Sequence, residues 1–221
     1  MTLSKYIDHT LLKATATEND IIQLCNEAIE YHFYAVCVNS CYLPLCRDTL
    51  HGSEIKIASV IGFPLGAMDI ASKITEAKNV VRNGADEIDM VINIGFLKNQ
   101  QYDLVENEIR QIKSEIGTKI LKVIIETCYL TNDEKRIATM IVLNAGADFV
   151  KTSTGFGTGG ATLEDVELMK SVTQNKIQIK ASGGIRDFET AKKYIDLGVT
   201  RIGTSNGIQI VTGQKGNEQT Y

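Results

Sequence analysis

Two lysines stand out by where they fall. Lys151 closes the apolar run Phe149-Val150 and opens onto Thr152-Ser153-Thr154-Gly155. Lys180 closes Ile177-Gln178-Ile179 and opens onto Ala181-Ser182-Gly183-Gly184. Each ends a short β-forming run just ahead of a small, polar, glycine-bearing loop. Removing an ammonium group from water is costly, so a lysine in such a place either snorkels to solvent or serves chemistry. A single lysine at a strand end is ordinarily of the first kind. Two on neighbouring strands would disfavour each other's charged form, and a lysine that loses its proton can attack a carbonyl. Asp89 completes the set. It falls inside Ile88-Asp89-Met90-Val91 and is expected to point into a buried interior, where it needs a cationic partner or a proton. It reads as a structural ion pair with one of the lysines or as a proton-transfer group, and the two roles are compatible.

A second pattern suits an anion. Thr154-Gly155, Ser182-Gly183-Gly184 and Gly203-Thr204-Ser205 each follow an expected strand. Glycines let backbone N–H groups approach an anion, and helix N-termini behind them add positive dipole. A Gly-Gly pair alone is no more than a turn; three such loops on adjacent strands suggest a phosphate.

These residues need a scaffold that brings strand ends together. Tyr6–Leu12 reads as a first strand and its exit, followed by a capping box at Thr17–Asp20 and a helix to about Tyr31. Further strands are expected at 35–39, 56–62, 87–93 and 120–126, then at the runs holding Lys151 and Lys180, and at 201–205. Helices are expected at 43–50, 68–83, 102–116, from 131 to about 144, from 162, from 187 to about 197, and at 206–212. Asn83-Gly84-Ala85-Asp86, Ala145-Gly146-Ala147-Asp148 and Leu197-Gly198-Val199-Thr200 form a weak internal echo, each with a glycine where a helix must stop. Eight strands alternating with about eight helices imply a parallel sheet, and in about 220 residues the best fit is a single compact TIM (β/α)8 barrel. An open doubly wound sheet is the alternative; no G-x-G-x-x-G follows the first strand, which argues against a dinucleotide version.

Composition narrows the classes. The chain has 221 residues, 43% hydrophobic and 23% charged, with net charge -4 and no charge blocks, so nothing points to nucleic acid or an anionic membrane. No apolar run has membrane-spanning length, Met1–Lys13 lacks a signal-like segment, and the cytoplasm is the expected compartment. Five cysteines without a C-x-x-C pair and three scattered histidines argue against a disulfide framework and against a metal site. No cofactor is expected. The polar, glycine-bearing tail at about 213–221 is expected to be flexible.

Seven stretches together resemble the deoxyribose-phosphate aldolases: YIDHTLL (6–12), AVCVN (35–39), VIGFPLG (60–66), GADEIDMVINIG (84–95), KVIIET (122–127), GADFVKTSTGF (146–156) and IKASGGIR (179–186). The resemblance runs from about Tyr6 to Ser205. It implies a metal-free, class I aldolase that cleaves 2-deoxyribose 5-phosphate to acetaldehyde and glyceraldehyde 3-phosphate, in deoxyribose phosphate breakdown. By position it implies that Lys151 is the Schiff-base lysine, Lys180 the lysine that lowers its pKa, and Asp89 the proton-transferring aspartate. It further implies that Asp8, Thr10 and Thr154 line the substrate site, that Cys37 lies near the aldehyde, and that Gly155, Gly183, Gly184, Gly203 and Ser205 meet the phosphate. A C-terminal tyrosine, here Tyr221, is implied to relay a proton at the enamine carbon. The family commonly forms dimers, so a homodimer is the implied assembly. One departure stands out: some members carry a lysine directly after TSTG, where this chain has Phe156, leaving the phosphate to backbone dipoles and to Arg186 or Lys180. Other Schiff-base aldolases, an isomerase without an imine and a non-catalytic phosphosugar sensor are the rivals; both lysines and Asp89 together argue against a sensor.

Overall fold

The structure is a computed structural model that describes residues 3–214. Its eight strands are β1 (Ile7–Leu11), β2 (Ala35–Val38), β3 (Lys56–Ile61), β4 (Glu87–Val91), β5 (Ile120–Ile124), β6 (Phe149–Lys151), β7 (Gln178–Ser182) and β8 (Arg201–Thr204). Each pairs in parallel with its neighbours, and β8 closes on β1. The connecting helices are α1 (Glu18–Glu30), α2 (Leu43–Thr49), α3 (Ile70–Arg82), α4 (Ile94–Lys98), α5 (Tyr102–Ile116), α6 (Asn132–Asn144), α7 (Leu163–Thr173), α8 (Phe188–Asp196) and α9 (Gly207–Thr212). This is the (β/α)8 barrel expected, not the open sheet.

Local chemistry accounts for most boundaries. Thr17 and Thr131 each cap a helix in a full capping box, with Asp20 and Glu134 reaching back to the cap backbone. Helix α3 starts at Ile70 rather than Met68, because the Asp69 side chain accepts from the Ser72 N–H and fixes the start there. Gly84, Gly146 and Gly198 end helices with φ of +105°, +81° and +98°, a region that penalises a Cβ. The echo around them has a structural basis. Asp86 and Asp148 accept from the backbone N–H of Ile57 and Leu121, so the motif pins each incoming strand to the one before it. Two expectations fail. Residues 92–93 leave β4 early, because the Asn93 side chain caps the short helix α4 by accepting from the Phe96 N–H. Strand β5 stops at Ile124, and Glu126 beyond it takes φ +52°.

The apolar layer lies between strands and helices, with Ile7, Ile88, Val123, Val150 and Ile202 facing α-helical residues such as Ile21, Ile109 and Val142. The alternate strand residues face the barrel axis. There the interior is not apolar: Asp8, Glu87, Asp89, Lys122, Lys151, Lys180 and Arg201 are all buried.

Candidate active site

These seven side chains form one continuous network. Registers Asp89↔Lys122 and Lys151↔Lys180 set them opposite each other on neighbouring strands. Lys151 Nζ donates to Asp89 Oδ2 at 2.7 Å, and Lys180 Nζ donates to the same oxygen at 2.8 Å. Lys122 Nζ holds the other oxygen, Oδ1, at 2.8 Å. Lys180 also donates to Asp8, whose second oxygen accepts from Arg201 at 2.8 Å. Deeper in the barrel, Glu87 receives Lys122 at 2.6 Å and both terminal nitrogens of Arg201, at 2.9 and 3.3 Å. Asp8, Asp89, Lys180 and Lys151 thus meet as expected. Lys122, Glu87 and Arg201 join the site beyond the residues singled out in the sequence; of the three, only Glu87, two positions before Asp89 in β4, carries a sequence signal.

Protonation follows from the neighbours. Burial lowers the Lys151 pKa, Asp89 works against it, and Lys180 adds to the lowering; the outcome is below the ordinary lysine value. Burial is the largest cause and Asp89 the next, so Lys180 comes third, as the smaller of the two lowering influences. Lys180 itself goes the other way. Burial disfavours its charge, but Asp8 and Asp89 outweigh that and hold its pKa above the ordinary value. For Asp89, burial is outweighed by Lys122, Lys151 and Lys180, which keep it ionised well below the usual carboxylate range. Lys151 is therefore the amine poised to lose a proton, and Asp89 a fixed anion beside it.

The barrel mouth surrounds Lys151 with small polar and apolar groups. Thr10 is buried, and its hydroxyl donates to the Asp8 carbonyl at 2.8 Å. Cys37 is fully buried in a small apolar cluster with Leu12, Ala58, Val60 and Phe63. Burial and the charge of Asp89 push its thiol pKa up, so it sits beside the lysines as a neutral thiol. Thr154 donates its N–H and its hydroxyl to Glu126. That bond fixes the turn carrying Gly155, and burial raises the Glu126 pKa toward its neutral form. The Phe156 ring meets the Phe63 ring edge-on at 5.3 Å, where a lysine would have offered charge.

The glycine loops also converge. Gly155, Gly183, Gly184, Ser205 and Arg186 line one cleft of about 180 Å³ at the ends of β6, β7 and β8. Gly160 lies directly on Gly183: a Cβ on Gly160 would come within 2.2 Å of the Gly183 carbonyl oxygen. Gly183 and Gly184 take φ of +85° and +81°. Much of the cleft wall is thus glycine backbone, whose N–H groups can approach an anion. Two expected contributors lie elsewhere. Gly203 packs against Lys180, where an added Cβ would be 3.1 Å from Lys180 Cε. Lys180 spends its amine on Asp8 and Asp89, which leaves Arg186 as the cation of the two expected that lines the cleft. Tyr221 and the tail from residue 215 lie outside the described residues. Among the described residues, no three His, Cys, Asp or Glu side chains group closely enough to hold a metal ion, and no helix is long and apolar enough to cross a membrane.

A closed barrel with a buried lysine of lowered pKa at a strand end has the layout of a lysine-centred barrel enzyme. The chain belongs to the DeoC/LacD family of aldolases, whose model matches residues 2–210. It is 56% identical over 213 residues to the deoxyribose-phosphate aldolase of Finegoldia magna, covering 96% of this chain and 100% of that protein. A crystal structure from Coccidioides immitis, 41% identical, matches with a TM-score of 0.94 over 96% of this chain and 85% of its own. The tetrameric deoxyribose phosphate aldolase of Aeropyrum pernix, 32% identical, matches at 0.86 over 95% and 89%.

Proposed function

We propose that this aldolase acts on 2-deoxy-D-ribose 5-phosphate and cleaves it reversibly, through a lysine imine, to acetaldehyde and D-glyceraldehyde 3-phosphate. The observation that supports this most is the shared Asp89 oxygen: a buried amine of lowered pKa, Lys151, stands beside a fixed anion and a second, firmly protonated lysine. Neutral Lys151 attacks the first sugar carbon, and loss of water leaves an iminium ion. The iminium draws electrons, so the bond between the second and third carbons breaks once the third-carbon hydroxyl gives up its proton. Acetaldehyde carries two carbons, which fixes the bond. Asp89 and Lys180, acting through water, supply and remove protons. Thr10 and Cys37 at the mouth, with Asp8 one layer below them, enclose the aldehyde end. Thr154 orients the chain of the sugar. Gly155, Gly183, Gly184 and Ser205, with Arg186, meet the phosphate, while Gly203 makes room for the Lys180 stem.

The reading extends to the whole chain as one domain, to the cytoplasm and to a homodimer; the tetramer belongs to the Aeropyrum pernix protein. The test of substrate is direct. Purified protein is offered deoxyribose 5-phosphate and, separately, ribose 5-phosphate and fructose 1,6-bisphosphate, and aldehyde release is followed. Cleavage of deoxyribose 5-phosphate well above the others is expected; preference for either of the others overturns the assignment.

A further inference from the structure

The interior network contains an imbalance that points to a role for its deepest pair. Its seven members comprise three carboxylates, Asp8, Glu87 and Asp89, and four cations, Lys122, Lys151, Lys180 and Arg201. Water does not screen them, since all are at most 5% exposed. Charges in such a medium act on one another over longer distances than at a surface. With all seven ionised, the network would hold one positive charge too many; Glu126, close to Lys151 but bonded to Thr154, lies outside it and has its pKa raised by burial.

The geometry assigns that excess. Each cation other than Lys151 is tied to two or more carboxylates: Lys122 to Glu87, Asp89 and, at 3.7 Å, Asp8; Lys180 to Asp8 and Asp89; Arg201 to Asp8 and Glu87. Lys151 has one, an Asp89 oxygen it shares. Arg201 is also held in place from outside the network, stacked 3.5 Å from the Tyr34 ring centroid. A guanidinium there cannot release its proton, so it does not relieve the imbalance itself.

We propose that Glu87 and Arg201, which lie at the closed end of the barrel away from substrate, are positioning residues that set the charge of the interior and so decide that Lys151 is the amine that gives up its proton. Glu87 removes one unit of the positive excess and Arg201 supplies one. The proposal rests on the Schiff-base reading above. Other groups near Lys151 are Asp89 on β4, Lys180 on β7, Cys37 on β2 and Glu126 after β5; those near the deep pair are Lys122 on β5 and Asp8 on β1. Lys56, Asp86 and Lys119 line the shallow solvent-facing cleft below Glu87. None of these is altered by the variants.

The charge account makes a signed forecast that a packing role does not. In Glu87→Gln the positive excess grows, and Lys151 sheds its proton more readily. In Arg201→Met the excess vanishes, and Lys151 keeps its proton. The experiment measures the rate of acetaldehyde trapping on Lys151 by cyanoborohydride between pH 5 and 9, with mass mapping of the labelled peptide. At the foot of the acid limb the rate should rise roughly three- to tenfold in Glu87→Gln and fall by a similar factor in Arg201→Met. The double variant, which removes one charge of each sign, should return close to the wild-type limb. Arg201→Lys, which keeps the charge and changes the shape, should also stay close to it, and it serves if Arg201→Met does not fold. Shifts in the same direction for both single variants, or none in either, overturn the proposal, as does a moved limb in Arg201→Lys. If the wild type gives no adduct on Lys151, the Schiff-base reading itself fails, and this proposal with it.

Discussion

Lys151 and Lys180 are Cα partners across the ladder of β6 and β7, and their two amines converge on one oxygen of Asp89. The same contact treats them differently. Lys180 has a second carboxylate, Asp8, and keeps its proton; Lys151 has none and loses it more easily. One strand register thus sets an amine of lowered pKa beside one of raised pKa.

Removing Lys180 tests that division. Burial and Lys180 both lower the Lys151 pKa. Lys180→Leu deletes one of the two influences, so the Lys151 pKa should rise and imine formation, which needs the neutral amine, should require higher pH. The pH dependence of imine formation in wild type and variant reads this. An unmoved acid limb would mean that Lys180 acts on substrate alone.

The cleft proposed to hold phosphate is tested without touching the lysines. Gly160→Ala forces its new methyl group into the Gly183 carbonyl and must displace the loop after β7. The KM for deoxyribose 5-phosphate should rise about tenfold or more, a loss of roughly 1.4 kcal/mol of binding. Trapping of acetaldehyde, which has no phosphate, should stay within about twofold on the same scale. Equal losses on both substrates would place the damage at the lysines instead.

Much of this site is legible in the sequence, and the limit is instructive. Lys151 and Lys180 announce themselves because each is followed by a loop that no ordinary strand end needs. Asp89 does so because its neighbours are apolar on both sides. Lys122, Glu87 and Arg201 do not. A charge at a strand's start or middle reads equally as facing solvent, and only closure of β8 onto β1 brings Arg201 to Asp8. Helix α4 was hidden for a similar reason: Ile92-Asn93-Ile94 continues a β-like run, and only the Asn93 side chain turning back to cap Phe96 ends it. Glu126 reads as the end of β5, but its left-handed backbone turns the carboxylate onto Thr154.

A second buried ion pair lies outside the barrel and should govern stability. Lys73 donates to Glu108 at 2.7 Å and to the Gly66 and Val91 carbonyls, tying the loop after β3 to the end of β4. Burial pushes the Lys73 pKa down and the Glu108 pKa up, so each leans toward its neutral form. Lys73→Met leaves Glu108 buried and alone and should cost about 3–5 kcal/mol. The double variant Lys73→Met/Glu108→Leu should recover most of that. Urea unfolding measures both, and a single-variant loss below about 1 kcal/mol would contradict a buried charged pair.

Tyr221 is proposed, on the family resemblance, to relay the proton at the enamine carbon. Tyr221→Phe should slow solvent-deuterium entry into the acetaldehyde methyl group by about 10²-fold, within the range of general acid–base catalysis, and leave imine formation intact. NMR of acetaldehyde incubated with either protein separates the steps. Equal exchange rates would remove the residue from the mechanism.

The central claim is that Lys151 forms the imine. Borohydride added during turnover of deoxyribose 5-phosphate should freeze the intermediate as a secondary amine, and peptide mass mapping should find the added mass on Lys151 alone. Lys151→Arg, which keeps the charge but cannot form an imine, should show neither adduct nor cleavage, with at least about a 10³-fold loss of rate. An adduct on Lys180 or Lys122, or undiminished turnover in Lys151→Arg, would contradict the account.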